Sequence, residues 1–159
     1  MTDSAEEQRL LRRKEMFAER VASHDTKLDG YAAVWSEFEA ALLTFGGVAA
    51  VPPMSPDPML KIFIAEGFLQ DPRSVVVVVG DPSRCHQNAA ALWRSRKALS
   101  IGTGYGLTGD LWREHSWGVD SESRLIETTE VRDQYFGIVI SGERAQKFAD
   151  WVSPPGTTN

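Results

Sequence analysis

The chain has 159 residues, and its 17 Lys and Arg against 22 Asp and Glu leave a net charge of −5. That length suits one domain with its own hydrophobic core, and the acidic balance argues against a nucleic-acid binder that works by bulk charge. No apolar run approaches the roughly 20 residues that span a bilayer, and the mixed-charge N-terminus has no apolar segment of the kind a signal peptide needs. The single cysteine, Cys85, excludes an internal disulfide framework and any multi-cysteine zinc site, and fits a reducing, cytoplasmic compartment.

Residues 2 to about 22 read as a charged helix, with Ser4 as its cap and Glu7 completing a capping box. Leu10, Leu11, Phe17 and Val21 give it only a thin apolar stripe, and the basic Arg12–Lys14 segment is surrounded by glutamates, as on a solvated face. His24 falls after this helix, as an exposed or capping residue. Tyr31, Val34, Trp35, Phe38, Leu42 and Phe45 then follow the spacing of one helical face, stopped by Gly46-Gly47. Four prolines between 52 and 58 make a loop, with a short helix starting near Pro58; residues 59–68 are open between helix and strand, and Asp71-Pro72 is a turn.

The five valines Val75–Val79 predict a strand buried on both faces. After the turn Gly80–Ser83 a helix runs from Ser83 or Cys85 to about Ser95. Strands are expected at Ser100–Thr108, His115–Val119, Arg124–Glu127 and Tyr135–Ile140, with Asp110–Glu114 as a loop between the first two and Arg113 available to a carboxylate. Alternating Gly102, Gly104 and Gly106 weaken the first strand or admit a close backbone approach. Ser141 caps a last helix, Gly142–Val152, and 153–159 form a disordered tail. The order predicts an α+β domain over 1–152: a helical part (1–50), then a Cys-bearing helix packed on a mainly antiparallel sheet (75–152).

Three residues carry the chemistry. Cys85 falls at or near a helix start, where free N–H groups and the helix dipole favour thiolate and its own N–H can serve an oxyanion. His115 opens a strand, from which it can face a nucleophile on a packed helix. Glu127 closes the next strand; a turn near Asp120–Ser123 makes the two strands hairpin neighbours, about 5 Å apart, so the carboxylate can orient the imidazole. Seen alone, each residue has a structural reading: a small buried hydrophobe, a hydrogen-bonded histidine, a surface glutamate. The combination favours a Cys–His–Glu triad. A zinc site using Cys85, His86, His115 and Glu127 is the lesser alternative, because adjacent helical side chains diverge by about 100°; no metal and no cofactor is expected.

Three stretches, Ser83-Arg84-Cys85-His86-Gln87-Asn88-Ala89-Ala90, His115-Ser116-Trp117 and Ile126-Glu127-Thr128-Thr129, resemble the core of the transglutaminase-like branch of the papain-like cysteine enzymes. They are also similar to a group of small bacterial proteins of unassigned function. The resemblance covers about residues 83–140 and implies a papain/transglutaminase-like core and a cysteine hydrolase or acyl-transferase acting on the amide of a peptide, protein or small molecule. Glu127 stands where the superfamily more often has Asp. No upstream Gln offers an oxyanion donor, which leaves Gln87, Asn88 and Tyr105 as candidates; Trp112 and Trp117, with Tyr105 and Tyr135, either wall a cleft or pack in the core. His86 either tunes the thiol or is exposed. The alternative function is a catalytically inactive binding or adaptor module on the same fold, with the N-terminal helices as a partner or homo-oligomer surface.

Overall fold

The computed structural model describes residues 2–155, with side chains from residue 4 onward. Among the described residues, five α-helices and a seven-stranded mixed sheet make an α+β fold. In chain order the elements are α1 (Thr2–Lys27), α2 (Tyr31–Leu43), β1 (Ala49–Ala50), α3 (Leu60–Glu66), β2 (Phe68–Gln70), a 3₁₀ turn (Pro72–Ser74), β3 (Val76–Val77), α4 (Cys85–Arg94), β4 (Ser100–Thr108), β5 (Leu111–Val119), β6 (Leu125–Glu127), β7 (Gln134–Ile140) and α5 (Gly142–Val152). No described helix is long and apolar enough to cross a membrane. Part of the expected disordered tail, residues 156–159, lies outside the described residues.

The strand order is β2-β7-β4-β5-β6-β3, with β1 added beside β5. The centre is antiparallel, whereas β1 and β3 join in parallel. The larger core lies between one sheet face and the helices. Phe38 on α2 sits in its middle, 4.9 Å from the Tyr105 ring and 5.8 Å from that of Phe63. Tyr31, Trp35, Phe38 and Leu42 of the α2 stripe are therefore spent internally, while Phe45 stays exposed. Gly30, left-handed at φ 84, lets the chain turn into α2, while the Asp25 carboxylate accepts from the Ala32 N–H, one of the donors a helix start leaves free. The opposite face carries a smaller cluster, Trp117, Val119, Leu125 and Tyr135, with Val75 and Val139 against it.

Several local expectations need correction. α1 starts before Ser4, which is thus a helical residue and not a cap, and it continues to Lys27. That extension carries His24 into the interior, 2% exposed, with Nε2 2.8 Å from the Pro53 carbonyl. The valine run is an edge and not a buried strand: only Val76 and Val77 pair, and Val79 is 88% exposed. Asp110–Glu114 is not a loop; β5 begins at Leu111, and the hairpin turns at Gly109, φ 60. Ser141 precedes α5, but its side chain makes no capping hydrogen bond.

The three alternating glycines each meet a different obstacle. A Cβ on Gly102 would strike the Trp117 indole, and one on Gly104 the main chain of β7 at Phe136 and Gly137. At Gly106 it would lie 2.8 Å from Cγ of Arg132. Gly104 has the least room to yield, because the obstacle is a paired backbone. Gly104→Ala is expected to cost about 3 kcal/mol, the upper range for overpacking, measured by urea unfolding; a cost below about 1 kcal/mol would mean the strands part easily there.

Candidate active site

The open edge of β5 creates the site. On that side β1 pairs with Leu111 and Trp112, and β6 pairs with Gly118 and Val119. Between them this edge of β5 has no neighbour among the described strands. The N-terminus of α4 fills this gap, with Cys85 as its first residue, and the Ser116 N–H, free of β6, faces the Cys85 sulfur. Asn88 fixes where α4 begins: its side chain donates to the Asp81 carbonyl at 2.8 Å and accepts from the Asp81 N–H at 3.3 Å. Ser83, at φ 60, completes the turn.

His115 and Glu127 meet as a buried pair. One step on from the Gly118–Ile126 pair, Glu127 lies beside Trp117, so His115 is its diagonal neighbour, within reach of long side chains. Nε2 of His115 is 2.8 Å from Oε1 and 3.1 Å from Oε2 of Glu127, and both side chains are essentially inaccessible. A carboxylate only accepts, so the network assigns the ring proton to Nε2 and leaves Nδ1 as the basic nitrogen. Glu127 is held in turn by the Tyr135 hydroxyl at 2.8 Å, the Thr128 N–H at 3.0 Å and the Thr129 N–H at 3.2 Å.

Nδ1 of His115 faces the Arg132 guanidinium, 3.5 Å from Nη2. Among the described residues no hydrogen bond joins the Cys85 sulfur to His115. The Arg132 N–H also donates to the Tyr135 hydroxyl at 3.0 Å, so Arg132, His115, Glu127 and Tyr135 form a closed ring of contacts.

Electrostatics follow from burial. Burial lowers the His115 pKa; Glu127 opposes this and Arg132 reinforces it, so the ring is neutral at pH 7. Burial pushes Glu127 up, but His115, Tyr135 and Thr129 outweigh it and hold the carboxyl below its ordinary value. The expectation that the helix start lowers the Cys85 pKa is corrected: burial raises it, and the Ser116 N–H and Arg132 offset this only in part, while Glu114 and Glu127 add to it. His86 is half-buried, its Nδ1 2.6 Å from the Ser116 hydroxyl, which in turn lies 2.9 Å from that of Thr103. Burial and the nearby His115 lower its pKa to about 4.

The chain matches no protein-family model, no curated protein and no solved structure. The site therefore rests on its own geometry. Cys85 faces the N–H of Ser116, the residue after His115, and His115 is bonded to Glu127; Tyr105 and Trp112 lie apart from this group. Tyr105, Trp112 and Trp117 are fully buried: their polar atoms go to Asp57, the Gly46 carbonyl and Gln70, and the Trp117 ring also packs against His115, 5.8 Å between centroids. They pack in the two cores and wall no cleft. Asn88 is committed to the Asp81 turn, and Gln87 is half-buried in the first turn of α4. A cavity of about 270 Å³ does open next to His86, Thr103, Gly104 and Glu114, walled by Phe63, Phe148 and Trp151. Among the described residues no three His, Cys, Asp or Glu side chains converge as metal ligands. Sequence reasoning missed the roles of Ser116, Arg132 and Thr129, and saw Tyr135 only as a cleft residue. The one available signal was Gly106, whose missing side chain makes room for Arg132.

Proposed function

We propose that the chain is a cysteine-dependent amide hydrolase or acyl-transferase in which Cys85 is the nucleophile, His115 the general base and acid, and Glu127 the residue that orients the imidazole. On this reading α4 with β4–β7 is a core of the papain/transglutaminase-like kind. The observation that carries the reading is the His115–Glu127 pair: the carboxylate fixes the tautomer whose Nδ1 is basic, beside an open strand edge that holds a helix-terminal thiol.

The steps follow from that tautomer. Nδ1 takes the thiol proton as Sγ attacks the amide carbonyl carbon. The developing imidazolium is stabilised by Glu127, and the N–H of Cys85 is placed at the helix start to receive the oxyanion. Nδ1–H then passes its proton to the departing amine as the C–N bond breaks, leaving a thioester on Cys85. Water or a second amine, deprotonated by Nδ1, attacks that thioester and restores the thiol. Hydrolysis and transamidation differ only in this last nucleophile.

A second reading has its own support. Burial keeps the proton on Cys85, and His115 pairs with Arg132 instead of the thiol, as in a non-catalytic binding module. Alkylation by iodoacetamide separates the two readings, since Cys85 is the only thiol. An enzyme is expected to react at pH 7 at least tenfold faster than His115→Ala, a modest share of what general-base catalysis supplies. Slow alkylation that rises only toward the ordinary thiol value of about 8.5, equally in both proteins, would overturn the enzyme and leave the binding module.

A further inference from the structure

Arg132 is a charge without a counter-charge. It is half-buried, its stem lies over Gly106, and one guanidinium nitrogen donates to the Glu130 carbonyl while the other faces His115 Nδ1. Among the described residues it forms no ion pair with a carboxylate within 4.0 Å. A guanidinium this close to an active-site base is costly unless a ligand uses it, because its donors suit a carboxylate far better than a single ring nitrogen. Its slot is also built: β4 gives up a side chain at Gly106 to seat the stem, and the Arg132 main chain is anchored on Tyr135.

We infer that Arg132 is the substrate-reading residue of the site and that the substrate is an amide with a carboxylate next to the scissile bond. In the free protein the guanidinium lies 3.5 Å from Nδ1, the His115 nitrogen that takes the thiol proton, and competes with the thiol for it. A substrate carboxylate draws the guanidinium to itself, and Nδ1 is released toward Cys85. Recognition and activation are then one event, which accounts for a resting site in which thiol and imidazole are not bonded. The inference rests on the reading of Cys85 as a nucleophile activated by His115.

Two alkylating reagents of nearly equal size test it. Iodoacetate carries a carboxylate beside the reacting carbon and iodoacetamide a neutral amide; with each, the S–C bond forms as iodide leaves. The ratio of their rates at pH 7 is compared in the wild type, Arg132→Gln and Arg132→Lys. The expected result is a ratio that falls about tenfold in Arg132→Gln and stays within about threefold of wild type in Arg132→Lys, which keeps the charge. A ratio unchanged in Arg132→Gln, with alkylation still dependent on His115, overturns this inference and leaves the proposed enzyme standing. Alkylation that ignores His115 removes both.

Discussion

Glu127→Leu is expected to lower the stability of the fold by about 3–5 kcal/mol, the range for breaking a buried charged network by removing one partner. Leucine fills similar space but accepts nothing. The His115 Nε2–H, the Thr128 and Thr129 N–H groups and the Thr129 hydroxyl all lose their acceptor, and Tyr135 loses the one its hydroxyl donates to. Each buried donor left unpaired costs about 1–3 kcal/mol, and none of the donors to Oε1 can turn to water, since His115, Glu127 and Tyr135 are fully enclosed. Glu127→Gln keeps one acceptor oxygen but points an N–H₂ at other donors; about half the loss is expected. On the proposed mechanism it also removes the charge that stabilises the imidazolium, so its alkylation rate is expected to fall further than its stability. Urea unfolding of the three proteins decides the matter. A leucine variant within 1 kcal/mol of wild type would mean the carboxylate organises nothing around it.

The parts of this arrangement that lie close in sequence were legible, and the parts assembled across strands were not. His115 and Glu127 belong to one hairpin, so the turn at Asp120–Ser123 was enough to bring them together. Cys85 was placed at a helix start by the Gly80–Ser83 turn, and α4 begins at that residue. Arg132 gave no such signal: its two neighbours, His115 and Gly106, come from β5 and β4, and only the packed sheet sets them side by side. The thiol's environment was misjudged for a related reason. A helix terminus is visible in sequence, but the desolvation that outweighs it depends on how deeply α4 enters the gap in β5.

The fold divides in the same way. The α2 stripe, β4, β7 and α5 are long enough for their periods to show. β1, β2 and β3 have two or three residues each, too few for any pattern, and exist because longer strands offer them edges. The valine run illustrates the limit. β-branched composition marks a strand, but whether both faces are covered depends on neighbours, and here β3 is the last strand of the sheet. His24 shows the converse: a charged segment looked solvated, and the carbonyl that buries it comes from a distant proline loop.

His86 is expected to make the fold lose stability as the pH falls below 6.5. Its pKa falls from 6.5 to about 4 in the fold, first through burial and then through the nearby His115. In the unfolded chain His86 binds a proton as the pH drops through 6.5; in the fold it does not until about 4. Between those values the unfolded state holds the extra proton, so stability declines as pH falls, by about 1.4 kcal/mol per unit. Over the whole window the loss from this residue is about 3 kcal/mol, on the same scale as the linkage expected for a strongly shifted group. His115, also lowered, acts in the same direction. Asp57 and Glu114, raised by burial, act in the opposite one. The total curve is therefore a sum, and the diagnostic quantity is a difference. Urea unfolding at pH 6.5 and pH 4 is expected to show a drop for wild type that exceeds the drop for His86→Gln by about 3 kcal/mol. Equal drops would mean that His86 takes its proton in the fold as easily as in the open chain. In that case its contact with the Ser116 hydroxyl does not survive in solution, and the thiol loses the neutral neighbour that flanks it on α4.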